Sequence, residues 1–467
     1  MTMVIKLTPV FLFVLVCIVV SCHSAQDNAG SSFGAPGDSL NLTGSHPAWS
    51  IQSNIYEVNL RQYSGDGSFR NFAKALPRLK DMGVEVLWFM PINTIGIEGR
   101  KASQRDLGSY YAVKDYYAVN PEFGSLEDWE DLVKQAHSMG FKVLMDWVAN
   151  HSSPDNTWMT AHPDFYKRDS LGRAIIPNGW DDTRKLDYNN RALHDSMINA
   201  MKYWISASNI DGYRCDDAGD VPDEFWKDAI SALRKIKPVF MLAEGDKPSL
   251  HADGFDETYP WSVMNVAYGI YSGKTSLDQL DSVINRDDSI FPKNSLRLYF
   301  TTNHDENSWN GTEFERFGDD YKAFAIWAFT MKNSVPLIYS GQEIPNKKRL
   351  LFFRKDTIEW RKYELAGFYK TLNRLRRSSS AFAEGSSILR LKTGKDSSVY
   401  AFMRRGGGHQ VLVLLNFSRQ IQEFSINKAE LNGWAEEIFT GRIQSLNSST
   451  NFRLTPGGFQ VFNYDRQ

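Results

Sequence analysis

A chain of 467 residues, 42% hydrophobic and 23% charged, is long enough to bury more than one core. Its formal net charge of −2, with no long Lys/Arg run, excludes the electrostatic footprint of a nucleic-acid binder and suits a neutral ligand better than a polyanion. Of its three cysteines, Cys17 and Cys22 fall in the leader and Cys215 stands alone, so the body holds no pair for an internal disulfide.

Lys6 precedes an apolar run from Val10 to Val20, too short to span a bilayer and typical of a signal peptide. The run ends Val19-Val20-Ser21-Cys22, which resembles a bacterial lipoprotein leader. Residues 1–22 then form a lipoprotein-type signal peptide whose Cys22 is lipidated and becomes the new N-terminus, leaving an exported chain anchored to a bacterial membrane, in the periplasm or at the cell surface. Ordinary signal-peptide cleavage at Ala25 is the alternative. Residues 23–47, rich in Ser, Gly, Ala and Asn, read as a flexible tether.

From Ser50 onward helix-like and strand-like segments alternate. Phe72, Leu76 and Leu79 precede Met82-Gly83 and then the apolar run Val84 to Phe89. Ser125 with Asp128 three residues later opens a helix whose Leu126, Trp129, Leu132, Val133 and Ala136 share a face; Gly140 stops it before the strand leading to Asp146. The same grammar recurs at Leu193 to Ile205 and at Phe225 to Ile236. Eight strands are predicted near 54–59, 84–89, 142–146, 212–216, 239–243, 254–257, 297–301 and 334–339. Such units predict a parallel sheet covered by helices, and their number over residues 48–378 fits an α/β fold of the (β/α)8 TIM-barrel type. A doubly wound sheet is the alternative, but the glycine fingerprint that often marks it is missing. Prolines and Gly179 break the rhythm over about 152–186, predicting an insertion after the third strand. After Arg377 short strands at 399–403, 410–415, 422–426 and 458–464, separated by Gly, Asn and Ser, predict a C-terminal all-β sandwich over 379–467.

Four segments end predicted strands: Asp146-Trp-Val-Ala-Asn150-His151, Gly212-Tyr-Arg214-Cys-Asp216, Ala243-Glu244-Gly245 and Asn303-His304-Asp305. Asp216 to Glu244 is 28 residues, about one strand-helix unit, and Glu244 to Asp305 is 61, about two. All three carboxylates therefore fall at C-terminal strand ends, where barrel active sites form. Converging carboxylates with stacking rings are equipment for breaking a glycosidic bond. Each motif alone has a blander reading: Asp–Arg pairs are often structural, Asn-His-Asp is often a cap, and Trp88 and Trp147 suit packing. Cys215, inside a buried strand, suits a core thiol.

With these segments, Gly83-Val-Glu-Val-Leu-Trp-Phe-Met-Pro91, Leu186-Asp187-Tyr188-Asn189 and Val335-Pro-Leu-Ile-Tyr-Ser-Gly-Gln342, the chain from about Ser50 to its end resembles the α-amylase family of glycoside hydrolases (family 13). The resemblance implies a barrel, a short domain B after strand three and a C-terminal sandwich. It implies Asp216 as nucleophile, Glu244 as general acid/base and Asp305 as transition-state stabiliser. Arg214, His151, His304 and Tyr111 would bind the sugar, with Arg214 keeping Asp216 ionised and neighbouring negative charge keeping the proton on Glu244. The expected substrate is starch or malto-oligosaccharide cut at α-1,4 bonds with retention, through a covalent glucosyl-enzyme. An α-1,6-glucosidase or an α-glucosyl transferase shares the pocket, and a non-catalytic glycan-binding barrel is the rival from another class. Oligomeric state stays open. Gly219 and Asp220 replace a frequent Lys-His pair on the leaving-group side; that histidine's carbonyl joins Asn150's counterpart in the usual calcium site. Asn150 is the candidate calcium ligand here. An alternative calcium loop after strand one needs alternating carboxylates, and Ser64-Gly-Asp66-Gly-Ser has one. The chemistry requires no metal.

Overall fold

The computed structural model describes residues 46–100, 106–426 and 431–464. The leader with Cys22 and nearly all of the tether lie outside the described residues. Eight parallel strands run Ile55–Val58, Val86–Phe89, Lys142–Val148, Gly212–Asp216, Phe240–Ala243, Glu257–Thr258, Leu296–Arg297 and Leu337–Tyr339, hydrogen-bonded in the order seven-six-five-four-three-two-one-eight. A parallel bridge between Arg297 and Ser334, with Leu337 N–H donating to Tyr299 O at 3.1 Å, joins the ends of that sheet and closes the barrel. The first, second, fourth and fifth strands are buried at every residue, as expected of strands covered on both sides.

The helix Leu126–Ser138 forms where its cap signal placed it. Ser125 Oγ accepts from Asp128 N–H, Asp128 returns the bond to Ser125 N–H, and Gly140 at φ +80 ends the turn. Trp129, Leu132, Val133 and Ala136 bury its inner face, the larger three contributing about 1.5–3 kcal/mol each. Arg191–Ser208 and Asp223–Arg234 repeat the pattern ahead of strands four and five. Gly212 opens strand four because nothing else fits: a Cβ there would lie 1.8 Å from Phe240 O.

The eighth strand starts at Leu337, later than expected, and strands six and seven depart furthest from the sequence reading. The sixth starts at Glu257, not 254, because Gly254 at φ +112 and Phe255 N–H, bonded to Leu250 O, still close the preceding helix. The seventh pairs only at Leu296–Arg297, since beyond it the chain meets its neighbours through single hydrogen bonds. After strand three, His151–Ser152 pairs antiparallel with Arg184–Lys185, forming the neck of the expected insertion. A ribbon of Asn93–Ile95 with Val113–Val119, not foreseen, rises after strand two, and Tyr111 lies two residues before its second strand.

The C-terminal sandwich has a six-stranded sheet and a two-stranded one. It includes the four expected strands and adds Ser387–Leu391, Gly433–Glu437, Arg442–Leu446 and Asn451–Leu454. Leu412, Leu414, Phe424, Phe452 and Phe462 pack in one cluster between the sheets. Buried Arg404 crosses to the barrel, donating from Nη1 to Thr330 O at 2.8 Å and Met331 O at 2.6 Å. Tyr400 Oη donates to Asp281 at 2.8 Å and Phe417 packs 4.5 Å from Phe324.

Candidate active site

Strand ends and the loops after them deliver Tyr111, His151, Asp216, Glu244 and Asp305 to one cavity of about 420 Å³. Asp216 terminates strand four, Glu244 follows strand five, and Asp305 immediately precedes a π-helical turn, Glu306–Asn310, a device common at functional sites.

Arg214 organises the floor. Alternation along strand four puts it on the same side as Asp216, two residues on. Fully buried, it lies 2.8 Å from Asp216, 3.0 Å from Asp146 and 2.7 Å from Glu244. The Nη2 hydrogens do not line up with Glu244, so that contact is an ion pair without a directed hydrogen bond. Trp88 lies 5.0 Å under the guanidinium and donates its indole N–H to Asp146 at 3.1 Å, so Trp88 supports the site as well as the core. Trp147 packs against Tyr116 and Tyr213, and Cys215 is buried.

The charges are arranged differently from the sequence expectation. Burial pushes the Asp216 carboxyl well above the ordinary range; Arg214 opposes this, and the negative charges of Glu244 and Asp146 add to it. Burial likewise raises Asp146 to about 6 against the pull of Arg214. Glu244, expected to lie near the negative charges of Asp216 and Asp305, also shares the cation with Asp216. One guanidinium thus contacts both carboxyls.

The two histidines take opposite states. His304 is clamped between Glu57 (2.5 Å at Nδ1) and Asp305 (3.3 Å at Nε2). Burial would lower its pKa, but these carboxylates hold it well above the imidazole range. Burial would raise Asp305, and the imidazolium holds it low. His151 goes the other way, pushed down to about 3 by burial and by Lys185. Tyr111 bonds to His304 at 2.8 Å and Asp146 at 3.2 Å; its ring stacks 5.5 Å from His304 and 6.3 Å from Phe352.

Asp217 follows the carboxylate strand at φ +45, a strained conformation for a residue with a side chain. That twist aims its N–H at Glu244 Oε2, 3.0 Å away, while its carboxylate accepts from Asn150 Nδ2 at 2.8 Å. The residues around Asn150 do not fit calcium: Asn150 Oδ1, the atom that would ligate, accepts from the ammonium of Lys185. Among the described residues no group of three or more His, Cys, Asp or Glu side chains is arranged to hold a metal ion. At Gly219, Lys247 from the loop after strand five donates to the backbone carbonyl, standing beside the space a side chain would fill.

Several residues that line the pocket or support it from behind escaped the sequence reading. Glu57 hides inside the apolar first strand, and an acid in a fully buried run was its only signal. Asp217 stood next to a quoted motif. Trp180 and Trp309, 43% and 53% exposed, line the cavity with Phe352 and Phe353; exposed tryptophans cannot be told from core ones by composition.

The model of one protein family, described as alpha amylase, catalytic domain, matches residues 50–173. "Alpha-amylase 2" of Dictyoglomus thermophilum is 25% identical over 444 residues, covering 85% of this chain and 74% of that protein. The cyclomaltodextrinase of Thermoanaerobacter pseudethanolicus is 23% identical over 406 residues, covering 78% of this chain and 66% of its own length. The crystal structure of a noncanonic maltogenic alpha-amylase from Thermotoga neapolitana superposes with a TM-score of 0.81 at 28% identity, covering 89% of this chain and 99% of that one.

Proposed function

Because this chain belongs to the α-amylase family of glycoside hydrolases, we propose that it is a retaining glycosidase that cuts α-1,4-glucosidic bonds in starch or malto-oligosaccharides. The observation carrying this reading is Arg214 held between Asp216 and Glu244, with Asp305 in the same cavity.

In the first step Asp216 attacks the anomeric carbon as Glu244 gives its proton to the departing glycosidic oxygen, leaving a glucosyl ester on Asp216. In the second, Glu244 takes a proton from water, whose oxygen displaces the ester and restores both groups. These steps need Glu244 to bring a proton and Asp216 to be ionised when the sugar arrives. Asp305 accepts from ring hydroxyls, and cationic His304 supplies a donor beside them. Neutral His151 donates from whichever ring nitrogen carries the proton. No metal takes part in the bond exchange.

Glu244→Gln should lower kcat about 10²–10⁴-fold, the usual worth of a positioned acid/base, with the melting curve retained. Near wild-type turnover in Glu244→Gln or Asp216→Asn would sink the assignment. Digestion of amylose, pullulan and isomaltotriose side by side, with NMR of the first-formed anomer, separates α-1,4 from α-1,6 hydrolysis. Sugar-acceptor products in place of free sugar would indicate a transferase, and binding without cleavage a glycan-binding barrel. The Ser21-Cys22 ending supports export with a lipid anchor; a mature N-terminus near Ala25 without added lipid mass would refute the anchor and leave ordinary export.

A further inference from the structure

The contacts of Lys185 say more than that calcium does not fit. Its ammonium donates to Asn150 Oδ1 and lies 3.3 Å from the backbone oxygen of Asp220, the fourth residue after Asp216. Those two oxygens stand where the resemblance puts a divalent cation. Lys185 belongs to the neck strand of the insertion, directly across from His151 in register. From Asn150, 1% exposed, the bonds continue: Nδ2 to Asp217 Oδ2 at 2.8 Å, then Asp217 N–H to Glu244 Oε2 at 3.0 Å.

A divalent ion entering this spot would meet a covalently tethered cation already on the oxygens it needs, and like charges in a half-buried place repel strongly. The other candidate loop behaves alike. Lys355 Nζ donates to Arg61 O and stands 2.8 Å from where a Cβ on Gly67 would be; Asp66 is taken up by Ser64, Ser68 and Asn71. Two separate lysines thus fill the two loops in which the family pattern would seat calcium.

We propose that Lys185 is a positioning residue that replaces the calcium with a tethered ammonium. It fastens the neck of the insertion to the Asn150–Asp217–Glu244 string and makes fold and activity independent of calcium. The last link rests on the glycosidase reading; the stability part does not.

The test begins with the wild-type chain, purified without chelator. Its melting temperature should stay unchanged in excess EDTA and in excess calcium, and elemental analysis should find no stoichiometric calcium. Loss of several degrees in EDTA, the signature of a ligand bound far above its Kd, would overturn the proposal, as would copurified calcium. Lys185→Met should lower kcat about 10–100-fold with KM little changed, because Glu244 loses its support while the sugar contacts remain. Lys185→Arg should restore most of that loss. Unchanged kcat in Lys185→Met would overturn the positioning role. Should Lys185→Met fail to fold, the wild-type chelator measurement decides alone. If wild type cleaves no glucan, the glycosidase reading fails while the chelator measurement still judges the lysine.

Discussion

Glu57→Gln probes a charge that no motif announced. Glu57 Oε1 lies 2.5 Å from His304 Nδ1, and Asp305 holds the opposite nitrogen at 3.3 Å, so the imidazolium stands between two carboxylates. A carboxamide keeps the shape and an acceptor but removes the charge. A hydrogen bond to a charged group is worth about 1.5–3 kcal/mol and a neutral one about 0.5–1.5, a difference of about 1–2 kcal/mol. At ~1.4 kcal/mol per pH unit, His304 should lose its proton about one pH unit earlier in the variant. Histidine-labelled NMR across pH reads this directly; with 9 histidines in the chain, His304→Gln identifies the resonance. Since the protonated ring is a donor to the sugar, the alkaline limb of kcat/KM should move to lower pH by the same amount. A His304 resonance titrating at the same midpoint in both proteins would show that Glu57 does not hold the charge.

Arg214→Lys should cost roughly 3–5 kcal/mol of stability, because a single ammonium cannot satisfy Asp146, Asp216 and Glu244 together; denaturant unfolding measures it. Glu313 is buried, and burial raises it to about 7 although Thr301 and Gln342 donate to it. Its stabilising share is therefore fully present below about 4.5 and lost as pH rises through about 7, a total of about 3 kcal/mol. Glu313→Gln should match wild type near pH 4.5 and melt higher at pH 8; a difference that does not grow with pH would contradict this. Trp309→Ala should raise KM for long oligosaccharides about 2–10-fold, the worth of one aromatic contact. Gly212→Ala should give insoluble protein, since the new Cβ would overlap Phe240 O.

The parts legible in the sequence share a cause. Helix Leu126–Ser138 and strands one to five combine strong local signals with burial that agrees with them, so period and caps sufficed. Strands six and seven are two residues long and held mainly by neighbours, which leaves little local signal to read. The carboxylates could be found because Asp216 ends strand four, Glu244 directly follows strand five, and Asp305 lies in a recognisable Asn-His-Asp motif in the loop after strand seven. Their charge balance could not be, because it depends on one guanidinium reaching Glu244 as well as Asp216. The lysine on Asn150 was equally hidden: 35 residues separate the two, and only the closed neck brings them together.

The seam between barrel and sandwich has its own consequence. Arg404 reaches out of the sandwich sheet to cap the carbonyls that end the helix Tyr321–Thr330, and a buried guanidinium without those acceptors would be costly on either side of a cut. The C-terminal module is therefore no detachable cassette. A calorimeter should record a single cooperative melt, and a chain ended after Ser378 should emerge as aggregate instead of as a smaller working enzyme.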